Sequence, residues 1–410
     1  MSYDYYDYDA IVVGGGPAGT TAALFAKRAG LNVLLVDKKR FPRDKICGDA
    51  ISGKSIHYLK ELGLFEEVVN APNAEVHNIV FSSPNEKSIK INFTNGVDLG
   101  KGLSGFICRR LVFDNILFQA AKKEMDVIEG LNVKDIIREN GQVVGISGQD
   151  LGGEKREIKA KITVGADGFN SIVARKMNLY DRDPRHWLVA TRAYYKGVTD
   201  LNDSIELHYV KETLPGYFWI FPVDDGLANV GIGMVYKALK KKGLSIRQAH
   251  INATESEFFK KRFKNAEIRG DIQGWNLPTG SKRRKIHGDG FILLGDAAGL
   301  IDPFTGEGIG NAMCSGYFAA QVLQEACDKN DFSADFLREY PKRLWRHLGP
   351  ELTMYTRLQQ IARIYPLIDL VVGKAAKSRE VLKWLGDMII GNIPKTQLLN
   401  PLTYLKLLAR

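Results

Sequence analysis

The feature that most constrains this chain is a glycine-rich segment near its start. A short apolar run leads into a Gly-x-Gly-x-x-Gly pattern and then into helix-forming residues. In such a strand–turn–helix the first glycine permits a tight turn, the second lets the backbone approach a pyrophosphate, and the third lets helix and strand pack closely. Free N–H groups at the helix N-terminus favour an anion. The segment predicts a dinucleotide site formed by Gly14, Gly16, Pro17, Ala18 and Gly19.

An acidic residue follows at the distance that this kind of site requires. A second apolar run over residues 31–36 ends in Asp37, eighteen residues after Gly19. A carboxylate there can accept hydrogen bonds from an adenosine ribose. We therefore add Asp37 and the adjacent Lys38 to the predicted site, in preference to a plain glycine turn in an unrelated α/β protein.

Two later segments have related patterns. A run over residues 162–165 ends in Asp167-Gly168, and a buried-strand pattern over residues 290–294 ends in Gly295-Asp296. A glycine-rich helix start follows, with Gly306, Gly308, Ile309 and Gly310. Taken singly, Asp167 could be a turn residue and Asp296 a helix cap.

Together, these motifs resemble the single-component FAD-dependent oxidoreductases of the para-hydroxybenzoate hydroxylase fold. The resemblance implies that the Gly-Asp carboxylate holds the ribitol chain of FAD and that the glycine-rich helix start faces the flavin ring. Backbone N–H groups at a helix start suit the negative charge of a reduced flavin. We therefore expect FAD rather than NAD. No second glycine fingerprint follows a strand, so we expect the electron donor to visit the flavin without a nucleotide domain of its own.

Composition narrows the class of protein further. With 410 residues and 45% hydrophobic content, the chain can bury a large core in two or three lobes. It has no eighteen-residue apolar run and no basic, apolar leader, which predicts a cytoplasmic protein without a spanning helix. Four scattered cysteines predict neither a disulfide framework nor a metal site. The net charge of +10 suits a membrane surface or phosphorylated substrate better than nucleic acid, because no nucleic-acid motif accompanies the basic runs, and any single run could equally be a solvated loop.

The order of the patterns predicts an α/β fold of three parts: a Rossmann-like FAD-binding domain, an inserted antiparallel β-sheet substrate domain and a C-terminal helical region. We expect a break or kink in the helices at Gly349-Pro350. The predicted ranges are residues 1–75, 100–175 and 275–335 for the discontinuous FAD-binding domain, 76–99 and 176–274 for the sheet domain, and 336–410 for the helices.

A segment in the predicted sheet narrows the function. Alternation places Tyr217, Trp219 and Phe221 on one face, where they could line an apolar tunnel or simply form core. This Tyr-x-Trp-x-Phe-Pro stretch, with Gly231-x-Gly233 downstream, resembles the signature of the geranylgeranyl reductase family. Two further segments, Lys45-x-Cys47-Gly48 and Arg110-x-x-Phe113-Asp114, resemble that family's cysteine loop and the segment whose arginine approaches the cofactor. The resemblance covers about residues 8–330.

The resemblance implies a flavoenzyme that reduces isolated carbon–carbon double bonds in polyprenyl chains. It implies a substrate tunnel of Tyr217, Trp219, Phe221, Gly231 and Gly233, with Cys47, Tyr217 and Trp219 as catalytic candidates and Cys47, Gly48 and Arg110 at the cofactor. Cys47 could equally be a small buried thiol, or form a gating disulfide with Cys314. The expected partners are a prenyl lipid or diphosphate, a transient reduced nicotinamide or ferredoxin donor, and the inner face of a membrane, since residues 398–410 mix apolar and basic residues.

Two alternatives remain at this point. A halogenase or monooxygenase of the same fold would use the same FAD site, although a halogenase is expected to have Trp at position 217 and Ile at position 221. A flavin-binding protein without turnover would keep the glycines and would have no need of an aromatic tunnel.

Overall fold

The computed structural model describes residues 6–93, 105–389 and 392–409. Within them the strands, in chain order, are β1 (Tyr8–Val13), β2 (Val33–Asp37), β3 (Ala50–Ile51), β4 (Ala74–Glu75), β5 (Asn78–Ser82), β6 (Ser88–Asn92), β7 (Phe106–Ile107), β8 (Asp126–Glu129), β9 (Asn132–Glu139), β10 (Gln142–Gln149), β11 (Lys155–Gly165), β12 (Trp187–Lys196), β13 (Ser204–His208), β14 (Gly216–Pro222), β15 (Leu227–Val235), β16 (Glu267–Pro278), β17 (His287–Gly288) and β18 (Phe291–Leu293).

The α-helices of the same residues are α1 (Pro17–Arg28), α2 (Gly53–Glu61), α3 (Phe65–Val69), α4 (Arg110–Glu124), α5 (Ile172–Lys176), α6 (Tyr236–Lys242), α7 (Ile246–Glu255), α8 (Lys260–Phe263), α9 (Gly295–Ala298), α10 (Ile309–Lys329), α11 (Ala334–Leu337), α12 (Glu339–Ile361), α13 (Tyr365–Ala375), α14 (Arg379–Ile389) and α15 (Pro401–Ala409). Short 3-10 turns occupy Asp224–Gly226 and Lys395–Leu399.

An eight-stranded sheet carries the cofactor motifs. Its main path is β17-β18-β11-β1-β2-β8, in which the strands from β18 to β8 pair in parallel. The hairpin β9-β10 extends the sheet from β11. The central strands are apolar runs buried on both faces, as parallel strands covered by helices require. Because parallel strands end at one edge, the segments after β1, β2, β11 and β18 meet there.

A seven-stranded sheet forms the second layer, in the order β16-β12-β15-β14-β13-β5-β6. Strands β12 to β15 form its centre, and β5 and β6 lie at one edge. The sheet is not wholly antiparallel, because β5 pairs in parallel with β13. No short hairpin joins these two strands, so nothing in the connection imposes an antiparallel pairing.

The C-terminal region is helical, as predicted; of the break or kink expected at Gly349-Pro350, the break does not occur. Helix α12 continues through Pro350, with Leu348 and Leu352 buried on either side of it. Their packing against the main core holds the helix together where a local rule predicts a break.

Two expectations concern the chain as a whole. The expected domain boundary at residues 99 and 100 lies outside the described residues. No helix in the described part of the chain is long and apolar enough to cross a membrane.

Candidate active site

The turn between β1 and α1 shows which glycines the fold itself needs. Gly14 has a φ of 109°, and a Cβ there would lie 2.4 Å from the Ala166 carbonyl oxygen. A Cβ at Gly19 would lie 1.9 Å from the Gly14 oxygen. At Gly16, a Cβ would meet only Arg43 Nη2, at 3.6 Å. The protein thus leaves open space over Gly16, which fits a pyrophosphate that approaches the backbone at that point.

The acid at the end of β2 is tied into the same turn. Asp37 is buried, and its Oδ2 accepts a hydrogen bond from the Gly15 backbone N at 2.8 Å while Oδ1 accepts one from Lys39 N. These bonds hold the carboxylate beside the glycine turn, where the ribose was expected. The adjacent Lys38 side chain is exposed.

The other two acids lie at the ends of the neighbouring strands. Asp167 Oδ2 accepts a hydrogen bond from the Ile172 backbone N at 2.6 Å, so Asp167 interacts with the start of α5. Its Oδ1 has no hydrogen-bond partner in the described part of the chain, and burial raises its pKa. Asp296 pairs through Oδ2 with Lys45 Nζ at 3.0 Å. Gly168 continues the turn after Asp167 with a φ of 77°.

The glycine-rich helix start forms one end of a cavity. The Gly295 backbone N donates to Ser315 Oγ at 3.0 Å, which ties the short helix α9 to α10. The Glu307 carboxylate accepts a hydrogen bond from the Gly310 backbone N at 2.7 Å. Gly306, Gly308 and Ile309 line the cavity in front of this helix start.

The cavity has a volume of about 580 Å³ and lies between the carboxyl edge of the first sheet and one face of the second. This is within the range of about 300–1,000 Å³ that is usual for small-molecule sites. The expected site residues that line it are Pro17, Cys47, Gly48, Arg110, Tyr217, Trp219, Phe221, Gly233, Asp296, Gly306, Gly308 and Ile309. The remaining expected cofactor residues lie at the strand ends and helix starts described above.

Three aromatic side chains form the wall that the second sheet gives to this cavity. The ring centroids of Tyr217 and Trp219 are 6.1 Å apart, and those of Trp219 and Phe221 are 6.3 Å apart. In the adjacent strand, Gly233 pairs with Tyr217 and Gly231 pairs with Trp219. A Cβ at Gly231 would lie 2.2 Å from Trp219 Cζ2. The indole therefore lies across Gly231, which explains a glycine at that register.

The loop with Cys47 faces this aromatic wall. Cys47 is half-buried and lines the cavity, and a Cβ on Gly48 would lie 3.3 Å from the Phe221 ring. All four cysteines are free, so the disulfide between Cys47 and Cys314 does not form in this structure. Cys314 is buried in α10, where burial raises the pKa of its thiol to about 11.

Arg110, the arginine expected at the cofactor, forms an ion pair with Asp114. Arg110 is buried and donates to both oxygens of Asp114, at 2.5 and 2.6 Å. Arg43 also pairs with Asp114, at 2.7 Å. Burial would raise the pKa of the Asp114 carboxyl, but the two guanidinium groups keep it below its usual value. Arg43 stands beside Gly16, so it adds a positive charge where the pyrophosphate was expected.

Sequence reasoning missed four polar residues at this site: Arg43, Asp49, Asn229 and Asp302. Asp49 directly follows the cysteine-loop motif and Asn229 lies two residues before Gly231, but neither motif assigns a role to these side chains. Asp302 lines the cavity, and burial raises its pKa to about 7, although hydrogen bonds from Thr305 N and Phe304 N oppose that rise. Its burial follows from the tertiary fold and has no sequence signal.

Comparison with known proteins decides the family. The model of the FAD binding domain family matches residues 7–340. The chain is 33% identical over 344 residues to digeranylgeranylglycerophospholipid reductase from Thermoplasma acidophilum, covering 82% of each chain. The chain belongs to this family of FAD-binding proteins. Its cofactor is FAD, as expected from the glycine and Gly-Asp motifs.

Solved structures agree with this assignment. A geranylgeranyl bacteriochlorophyll reductase-like protein from Thermoplasma acidophilum superposes with a TM-score of 0.75 at 27% identity, over 98% of this chain and 96% of that one. The flavin-dependent brominase Bmp2 superposes with a TM-score of 0.73 at 24% identity, over 94% and 93% of the two chains. The brominase therefore shares the fold of this chain.

Proposed function

We propose that this protein is an FAD-dependent reductase that hydrogenates carbon–carbon double bonds in the geranylgeranyl or other polyprenyl chains of a lipid. The observation that carries the proposal is the aromatic wall of Tyr217, Trp219 and Phe221, which lines the cavity directly beside the Cys47 loop. An apolar, elongated substrate can pack on this wall with its double bond turned toward the cofactor loop. The names of the relatives support the prenyl lipid as the substrate class.

The chemistry demands more of the protein than binding. An isolated alkene is a poor hydride acceptor, because nothing nearby delocalises the charge that develops. FAD, when bound and reduced, supplies the hydride. The protein's part is to hold the alkene at a fixed distance, exclude water and deliver a proton to the other carbon. The ring faces of Tyr217 and Trp219 can stabilise developing positive charge, and Cys47 is our candidate for the proton side.

The cofactor assignments belong to the same proposal. Gly16 and Arg43 would hold the pyrophosphate, Asp37 the ribose and Asp296 the ribitol chain. Lys45, which pairs with Asp296, would lie beside that chain. A small visiting donor, reduced nicotinamide or ferredoxin, would reduce the flavin. We also propose that the chain is divided into an FAD-binding domain, a sheet domain and a C-terminal helical region at the ranges predicted above.

We further propose contact with a membrane surface through the C-terminal helices. Leu402 and Leu405 on α15 are 58% and 59% exposed, and Ile364, which precedes α13, is 51% exposed. Lys406 adds a positive charge on the same helix. Such a surface can take lipid from a bilayer without spanning it. Binding to anionic vesicles that weakens with salt supports this contact, and equal binding to neutral vesicles contradicts its electrostatic part.

The direct test is the product of an anaerobic incubation. Purified protein, a chemical reductant and digeranylgeranylglycerophospholipid should give product that is heavier by two hydrogens for each reduced bond, measured by mass spectrometry. The matched control is the same lipid with saturated chains, whose mass should not change. Unchanged unsaturated lipid, with FAD present and reduced, would contradict the proposed reaction.

A further inference from the structure

The buried amide of Asn229 connects two walls of the cavity. Asn229 lies on β15 and is fully buried. Its amide oxygen accepts a hydrogen bond from Trp219 Nε1 at 2.9 Å, and its amide nitrogen donates to the Cys47 carbonyl at 2.8 Å and to Asp49 Oδ2 at 2.7 Å. A side-chain amide has two N–H donors, so both are used. One side chain therefore binds the indole of the aromatic wall and the backbone of the cysteine loop.

Asp49 anchors the other end of this group. It is fully buried, and Oδ2 also accepts a hydrogen bond from the Tyr194 hydroxyl at 2.6 Å, while Oδ1 accepts a long one from the Arg110 backbone N at 3.3 Å. Its φ of 64° is left-handed, which costs energy for a residue other than glycine and persists only when surrounding contacts impose it. The carboxylate is thus held in place by residues from β12, β15 and α4.

We propose that Asn229 is a positioning residue that couples the orientation of the Trp219 ring to the position of the Cys47–Gly48 backbone. Gly48 brings that backbone close to the wall, since a Cβ on it would lie 3.9 Å from Trp219 Nε1. A ring that turns must break its bond to Asn229 or move Asn229. Moving Asn229 disturbs its bonds to Cys47 and Asp49.

This coupling has a consequence for the reaction. A chain packed on Trp219 stabilises the ring orientation in which Asn229 can bind the cysteine loop, so an occupied wall and an ordered cofactor loop favour each other. Such positioning matters, because a misplacement of about 1 Å can cost about 100-fold in rate. The inference rests on the proposed function only in assigning the prenyl chain to the wall.

The test measures the loop itself. We would follow the alkylation rate of Cys47 by iodoacetamide in the FAD-loaded protein, by peptide mass spectrometry, with the half-buried Cys327 as the internal reference. Asn229→Ala should raise the Cys47 rate about tenfold, as expected when loss of a buried hydrogen bond favours local opening. Trp219→Phe should also raise the Cys47 rate, although this variant removes only the hydrogen bond between the indole and the Asn229 amide oxygen and leaves the bonds from Asn229 to the loop in place. The double variant should not exceed Asn229→Ala, because both act through one amide.

The chain offers a matched control in the same sheet. Trp187 Nε1 donates to Asn276 Oδ1 at 2.8 Å, a half-buried bond between the same two side-chain types outside this hydrogen-bond group. Trp187→Phe should leave the Cys47 rate at its native value. If Trp219→Phe leaves that rate unchanged, or if Trp187→Phe raises it equally, the coupling is wrong.

The test can be decided even if one variant fails to fold, and turnover provides a second readout. If Asn229→Ala does not fold, the Trp219→Phe and Trp187→Phe pair still decides the outcome. In turnover, Trp219→Phe should lower kcat even at saturating substrate, whereas a variant that only weakens substrate packing would raise KM alone. The alkylation result does not depend on the substrate, so a failure of the proposed function leaves it intact.

Discussion

The glycine beneath the Trp219 ring gives a sharp quantitative prediction. A Cβ at Gly231 would lie 2.1 Å from the Thr191 carbonyl oxygen and 2.2 Å from Trp219 Cζ2. The carbonyl belongs to the β12–β15 ladder, so it cannot move without breaking sheet hydrogen bonds. Overpacking of this kind costs about 1–3 kcal/mol, while replacing glycine by alanine in an extended strand regains about 0.5–1 kcal/mol of chain entropy. We therefore expect Gly231→Ala to lower the free energy of unfolding by about 1 kcal/mol.

Gly233 provides the matched comparison on the same strand. A Cβ there would be 3.9 Å from Trp219 Cζ3 and 4.0 Å from Tyr217 Cζ, which is ordinary contact. Gly233→Ala should therefore leave the stability unchanged or raise it by about 0.5 kcal/mol. Equilibrium urea unfolding of the two FAD-loaded variants measures the difference through their midpoints at equal slope. Coincident midpoints would refute the claim that the indole lies across Gly231.

Three other predictions test separate parts of the account. A Cβ at Gly16 would meet no backbone of the protein, so Gly16→Leu should fold and yet lose FAD; a yellow protein with full flavin content would contradict the pyrophosphate assignment. Asp302→Asn keeps an acceptor for the Phe304 and Thr305 N–H groups but removes a carboxyl whose folded pKa is about 7 against 3.8 for the free group. A carboxyl whose pKa is raised in the folded state makes the native protein less stable as the pH rises. The gain in stability of Asp302→Asn over the native protein should therefore grow between about pH 4 and pH 7, to at most about 4 kcal/mol, and then level off. A pH-independent difference in thermal midpoint would rule this out. Cys47→Ala should retain FAD and its reduction by an external donor but lose most of the reoxidation by prenyl substrate, and normal reoxidation in anaerobic stopped-flow would make Cys47 a packing residue.

Much of the fold was predictable because its signals are local. The runs around β1, β11 and β18 are buried on both faces, and the turn after β1 cannot form without Gly14 and Gly19. Alternation along β14 correctly placed three aromatic side chains on one face. Periodicity alone could not tell which of the two faces meets the Cys47 loop, since that depends on a contact between distant segments.

What the sequence did not reveal depends on contacts between distant segments. Asn229 binds Asp49 across 180 positions of the chain, and the motifs that adjoin these residues do not indicate that contact. The parallel pairing of β5 with β13 likewise depends on where a separate segment docks. At Pro350 the local rule was wrong, because packing of the flanking leucines outweighs the missing hydrogen bond.

The central claim, that this cavity is where reduced FAD meets a prenyl double bond, is tested most directly by a single-turnover measurement. Protein reduced anaerobically with two electrons for each FAD would be mixed with digeranylgeranylglycerophospholipid. The flavin absorbance would be followed and compared with the mass of the product. The account predicts that the flavin reoxidises with one double bond reduced per FAD, and that Trp219→Ala slows this step while leaving FAD bound. Flavin that stays reduced until oxygen is admitted, with lipid of unchanged mass, would contradict the account.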